Sequence, residues 1–150
     1  MKTGESKMDW KKEAINDLMT YERKKESLTN IRLQIQAINM QLTVVRGVLA
    51  DSAPAGGGNS NYEERLLNGI VKRDRLKLTY RATKQIITII EKGLTGLDER
   101  ERLVLDLFYI HQKKGNLEQL MEKLGYERSR IYEIKDNAVY KFTTGMYGLL

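Results

Sequence analysis

The sequence predicts an all-α protein: a long antiparallel coiled-coil helical hairpin followed by a C-terminal three-helix helix-turn-helix domain. Three observations carry this prediction. Apolar residues recur at steps of three and four over two long stretches, the spacing of one helix face. A single proline in 150 residues leaves those stretches unbroken. Near the end of the chain, "NLEQLMEKLGYERSRIYEI" at 116–134 reads as two short amphipathic segments joined at a glycine.

Composition agrees with that class. Hydrophobic residues make up 41% and charged residues 31%, the range of globular and coiled-coil chains rather than disordered ones. There is no cysteine, which excludes disulfides and thiolate chemistry and fits a reducing compartment. The longest uncharged run, "LQIQAINMQLTVV" at 33–45, is too short to span a bilayer and is interrupted by glutamines. No signal peptide is visible, so the expected compartment is the cytoplasm, with no membrane partner.

The first helix is expected from Asp9, a suitable cap ahead of Trp10, after a polar start over residues 1–8. Its apolar seam runs through Ala14, Leu18 and Tyr21, then Leu28, Ile31, Ile35, Ile38, Leu42, Val45 and Leu49. Lys25 is the one break. The stretch "DSAPAGGGNSN" at 51–61 reads as a connecting loop. It lacks the Gly-Lys-Ser/Thr that a phosphate-binding loop needs. A second helix follows over about 62–92, with its seam at Tyr62, Leu66, Gly69, Arg73, Leu76, Tyr80, Thr83, Ile87, Ile90 and Leu94. Two long helices joined by a short loop fold back on each other. Alone they bury little surface, so Leu28, Ile31, Ile35, Ile38, Leu42 and Val45 are expected to face a second copy, most simply as a dimer. Residues 1–94 are thus read as a hairpin for oligomerisation and residues 95–150 as a separate domain.

Gly93 and Gly96 are expected to end the second helix, and Asp98 to cap the third. Three short helices are then expected over 99–111, 117–124 and 128–142. Gly115 and Asn116 separate the first pair, and Gly125 and Tyr126 the second. Gly145 is expected to close the last helix. Leu117, Leu120 and Leu124 would pack against Ile131 and Ile134, with Asn116 as cap and Tyr126 at the corner. That orientation leaves Arg128, Ser129, Arg130, Tyr132, Glu133 and Lys135 at the end that would enter a major groove of double-stranded DNA. Arg128 and Arg130 are the leading candidates for base or phosphate contacts. Lys113, Lys114 and Asn116 are candidates for phosphate contacts.

The formal net charge is +6, all of it in residues 1–94, which hold 17 basic and 11 acidic residues; residues 95–150 hold nine of each. The excess is concentrated in "VKRDRLKLTYRATK" at 71–84. Either an anionic partner or a solvated helix face accounts for it. His111 is the only histidine. With no second imidazole and no thiol, no zinc site is expected, and no cofactor. No nucleophile–base arrangement stands out, so the chain is read as a non-enzyme.

The residues "LDERERLVLDLFYIHQKKGNLEQLMEKLGYERSRIYEIKDNAVYKF" resemble region 4 of sigma-70 family factors. The resemblance rests on Leu-x-x-Arg-Glu-Arg-x-Val-Leu-x-Leu-x-Tyr from Leu97 to Tyr109, Leu-Glu at 117–118, Leu-Gly at 124–125, Arg-Ser-Arg-Ile at 128–131 and Ala138. A coiled coil followed by one such domain resembles the ArpU-type phage and prophage regulators. That resemblance implies a transcriptional regulator of late, packaging or lysis genes in a bacterial host. Two positions depart from the family pattern. Met121 stands where a small residue is usual and is expected to spread the helices or turn outward. Glu127 stands where Ser or Thr usually caps the recognition helix. Two other readings remain open: a small terminase subunit that binds DNA for packaging, and a module that docks on RNA polymerase or a sigma factor.

Overall fold

A computed structural model describes residues 8–51 and 60–148. The described residues are helical throughout, with no strand: α1 (Trp10–Asp51), α2 (Ser60–Leu94), α3 (Glu99–Leu105) continuing into a π-helical turn (Asp106–Ile110), α4 (Asn116–Leu124) and α5 (Arg128–Tyr147). Most of the 51–61 loop and of the polar start lies outside the described residues. Among the described residues, no helix is long and apolar enough to cross a membrane.

Contacts divide the chain into two compact units, Met1–Arg23 with Ile86–Leu150, and Lys24–Gln85. The first unit therefore takes the start of α1 and the end of α2 together with α3, α4 and α5. The reason is burial. Ala14, Leu18, Ile90, Phe142 and Thr143 are wholly buried, and the ends of α1 and α2 supply part of the core. Trp10 and Tyr147 stack with ring centres 4.8 Å apart. The Tyr147 hydroxyl bonds to the Asp17 carboxylate, and the Tyr21 hydroxyl donates to Glu91 Oε2 at 2.7 Å. α2 and α5 approach closely at Gly93 and Gly145. A Cβ built on Gly145 would lie 3.8 Å from the Gly93 carbonyl oxygen. Gly145 does not end α5, which runs on to Tyr147 and stops at Gly148, the glycine that takes a positive φ of +85°. Gly93 likewise lies within α2 rather than after it.

The second unit is a pair of antiparallel helices. Gly69 on α2 meets Leu42 and Ile38 on α1, and Arg73 reaches Asn39 four residues further along α2. The sequence seam is its inner face: Ile31, Ile38 and Leu42 are buried, and Leu28, Ile35 and Val45 half-buried. These six residues were expected to face a second copy. Within one chain α2 carries a seam of matching period, and Ile31, Ile38 and Leu42 are buried, while Leu28, Ile35 and Val45 keep part of their surface exposed. At the start of the unit Lys24 and Leu28 are half-buried, while Lys25 is exposed. Two successive steps of three, from Leu18 to Tyr21 to Lys24, shift the phase of the pattern there.

Helix ends follow their caps. The Asp9 carboxylate accepts from the Lys12 amide at 3.1 Å. Asp98 forms a full capping box with Glu101, accepting from its amide at 2.8 Å while Glu101 Oε1 accepts from the Asp98 amide at 3.1 Å. Asn116 departs from expectation. It is the first residue of α4, whose N-cap is Gly115, and its buried side-chain amide donates to the carbonyls of Leu107 and His111. It ties α4 to the end of the π-helical turn instead of capping its own helix. The π-helical turn closes with the His111 amide on the Asp106 carbonyl at 2.7 Å.

Candidate nucleic-acid interface

α4 and α5 are joined by three residues, Gly125 to Glu127. Gly125 has φ +70°, a left-handed conformation that costs other L-residues roughly 1–2 kcal/mol. Its amide bonds to the Met121 carbonyl at 2.9 Å and ends α4. Beneath the turn lies one apolar cluster: Val104 from α3, Leu120 from α4, and Ile131 and Ile134 from α5. Leu117, Leu124, Tyr126 and Phe108 pack around it. Met121 packs there too, partly buried, and does not turn outward. Its flexible thioether fits an irregular gap that a branched side chain would not. Glu127 is the N-cap of α5 and makes no side-chain capping bond.

This packing orients the start of α5. Ile131 and Ile134 point inward, and Arg128, Ser129, Arg130, Tyr132 and Glu133 are exposed. Arg128 and Ser129 make no ion pair or side-chain hydrogen bond among the described residues. Arg130 is engaged: it pairs with Glu133 Oε1 at 3.0 Å and lies over the Tyr126 ring, 5.7 Å from its centre. Lys135 is also held. It bonds to Asp136 at 2.8 Å and lies over the rings of Tyr132 and Phe108. Burial works against its charge and is the largest single influence, but the Asp136 bond together with the charges of Asp136, Tyr109 and Tyr132 outweighs it and raises its pKa. Tyr132 stands edge-on to Phe108. Of the six α5 residues singled out in the sequence, Arg128 and Ser129 are therefore unengaged, and Arg130, Glu133 and Lys135 are already paired.

Lys113 and Lys114 are exposed just ahead of α4, as expected. Asn116 is not at the surface. It is 8% exposed and its amide nitrogen is spent on two carbonyls, so it drops out of the phosphate-contact set.

One feature was not read from the sequence. Tyr126 lies between two guanidinium groups, Arg130 at 5.7 Å and Arg100 at 5.9 Å from the ring centre. Arg100 also donates to the Tyr126 hydroxyl at 2.7 Å, and this bond raises its pKa. The arrangement links the start of α3 to the start of α5. Close by, the buried Glu101 carboxylate pairs with Lys141 of α5 at 2.9 Å. Pairs so far apart in sequence left no local signal. Elsewhere, His111 Nδ1 lies 2.7 Å from Asp106, and its Nε2 lies 3.5 Å from Glu22. Among the described residues, no group of three or more His, Asp or Glu side chains is placed to hold a metal ion.

Comparison of the chain with protein-family models, curated proteins and solved structures finds no match.

Proposed function

We propose that this protein is a sequence-specific DNA-binding transcriptional regulator. In this reading α4, the Gly125–Glu127 turn and α5 form a helix-turn-helix of the sigma-70 region 4 kind, and the paired α1 and α2 form a coiled-coil hairpin. The observation that carries the reading is the start of α5. A three-residue glycine turn over a packed apolar cluster sets out Arg128 and Ser129 exposed and unengaged at a helix N-terminus. Such an end can donate to phosphates through backbone amides and to base edges through side chains. The likeness to ArpU-type phage regulators points to late, packaging or lysis genes as targets.

The test is binding of the whole chain to fragments of its source genome at two salt concentrations. The expected result is one preferred fragment upstream of a late or lysis operon. Binding with no preferred fragment and a steep salt dependence would leave only phosphate contacts and reject specific recognition.

A further inference from the structure

The inner seam of α1 is used by α2, but α1 carries a second stripe on its opposite side. Leu33 is 53% exposed, Met40 71% and Val44 66%. With Ala37 and Gly47, also exposed, they recur at steps of four, three, four and three. That is a heptad spacing out of phase with the inner seam. We propose that this stripe is the contact between two copies of the chain, packed antiparallel through α1 about a two-fold axis beside Met40. The inference does not depend on DNA binding.

Three observations select a second copy as the occupant. The first is self-complementarity. The stripe is symmetric about residue 40 to within one residue, so antiparallel pairing sets Leu33 opposite the partner's Gly47 and Val44 within one residue of the partner's Ala37. Large residues then face small ones, the arrangement that lets layers interdigitate. Nothing lies within 4 Å of where a Cβ on Gly47 would stand, so the space for a leucine is open. The second is charge. Residues 33–45 carry no charge, whereas 71–84 on α2 carry six basic residues and one acidic. Two copies meeting through α2 would oppose these like charges, and meeting through α1 they would oppose fewer: Arg46 within the stripe, and Arg65 and Lys72 beside Met40 and Val44. The third is that unit 2 consists of two helices only, each buried along one side. A domain needs a further layer against which to bury a second apolar face.

Light scattering on the full chain tests the proposal. The expected molar mass is twice the 17.4 kDa of one chain. Met40→Glu with Val44→Glu should halve it and leave helical circular dichroism unchanged, since both side chains are exposed. Leu67→Glu with Leu78→Glu, at exposed positions on α2, should leave the mass unchanged. The chain has no cysteine, so single cysteines report the register. Met40→Cys should form a disulfide-linked dimer on oxidation, and Leu33→Cys should not. A monomeric wild type, a mass above two chains, or a dimer that survives the Met40/Val44 changes would overturn the proposal. So would dissociation by the α2 changes, or cross-linking at residue 33 as fast as at 40, which would mean parallel helices.

Discussion

Arg128 and Arg130 are two residues apart in sequence, yet the structure predicts unequal effects on DNA binding. Arg128 is exposed and makes no ion pair or side-chain hydrogen bond among the described residues, so Arg128→Ala breaks no polar interaction of the folded protein. If Arg128 reaches a guanine edge, its loss costs about 1–3 kcal/mol, or roughly 5- to 150-fold in Kd. Arg130 must first leave Glu133 and the Tyr126 ring. An exposed pair of this kind is worth about 0.2–1 kcal/mol, which is subtracted from any contact Arg130 makes with DNA. The expected order of loss is therefore Arg128→Ala above Arg130→Ala. Glu133→Gln should tighten binding slightly by releasing Arg130 and removing a charge that repels phosphate. Fluorescence anisotropy with the preferred fragment, at several salt concentrations, measures all three. A loss on every sequence, with the salt slope reduced by about 0.9, would mark Arg128 as a phosphate contact. A loss confined to the preferred fragment would mark it as a base contact. Unchanged affinity for Arg128→Ala, or a larger loss for Arg130→Ala at equal thermal stability, would refute the reasoning.

Other predictions concern the fold that holds this end in place. Gly145→Ala should stabilise the protein by about 0.5–1 kcal/mol, because alanine is the better helix former; the added methyl meets Gly93 at ordinary contact distance. Gly93→Ala should not, since its methyl would lie 3.1 Å from the buried Phe142 ring; urea denaturation compares the two. Lys141→Met leaves the Glu101 carboxylate, 6% exposed, with only the Asp98 amide as hydrogen-bond donor. Breaking a buried pair costs about 3–5 kcal/mol, but the Lys141 side chain is 55% exposed and water takes part, so about 1–2 kcal/mol is expected. Adding Glu101→Gln should recover most of that in the same assay, because glutamine keeps the capping-box bond. Burial, with hydrogen bonds to Glu91 and Asp17, pushes the Tyr21 and Tyr147 phenols well above their ordinary 10.0. A raised acid pKa stabilises the fold below the unfolded value, so the melting temperature should fall as pH rises above about 10. Tyr21→Phe with Tyr147→Phe should flatten that fall.

How far the sequence could be read depended on the range of the interaction. The α2 seam was legible position by position, because pairing with one other helix imposes the same spacing throughout. Even Arg73 keeps its seam place, half-buried beside Asn39. Asp9 and Asp98 were legible as caps because the groups they satisfy lie within three residues. Asn116 was not, since its partners are carbonyls of the preceding turn that only the fold brings near. Gly145 was misread as well. A glycine late in a helix suggests a stop, but the residue that leaves α5 with a positive φ is Gly148, three residues further on. The inner seam of α1 was found, and Ile31, Ile38 and Leu42 of it are buried within one chain. Spacing shows that a face is buried and not what buries it. At the start of α5, exposure of Arg128 and Arg130 was legible from the inward period of Ile131 and Ile134, whereas Lys135 is half-buried against Phe108 and Tyr132. Which of them were already engaged was not, because that depends on Tyr126 and Glu133 geometry.

The charge balance of residues 95–150 bears on how such a domain would hold DNA. Its nine acids and nine bases cancel in number but not in availability. Asp98 caps α3, Glu101 is buried on Lys141, and Asp106 lies on His111. Arg130 and Lys135 are held by acids of their own helix. The cations left without such partners include Lys113 and Lys114 before α4 and Arg128 at the start of α5. The exposed acids of α4, Glu118 and Glu122, offset part of their field. Long-range attraction is then weak, and recognition by one copy would rest on a few short-range contacts. About three phosphate contacts would give a salt slope of only about −2.7. A site this sparse gains most from being doubled. Linking two such domains makes the second contact intramolecular and raises avidity without any new interaction. On this argument the proposed pairing through α1 and the proposed reading of DNA through α5 support one another. Met40→Glu with Val44→Glu, which touches no DNA-facing residue, would then weaken operator binding as it halves the molar mass.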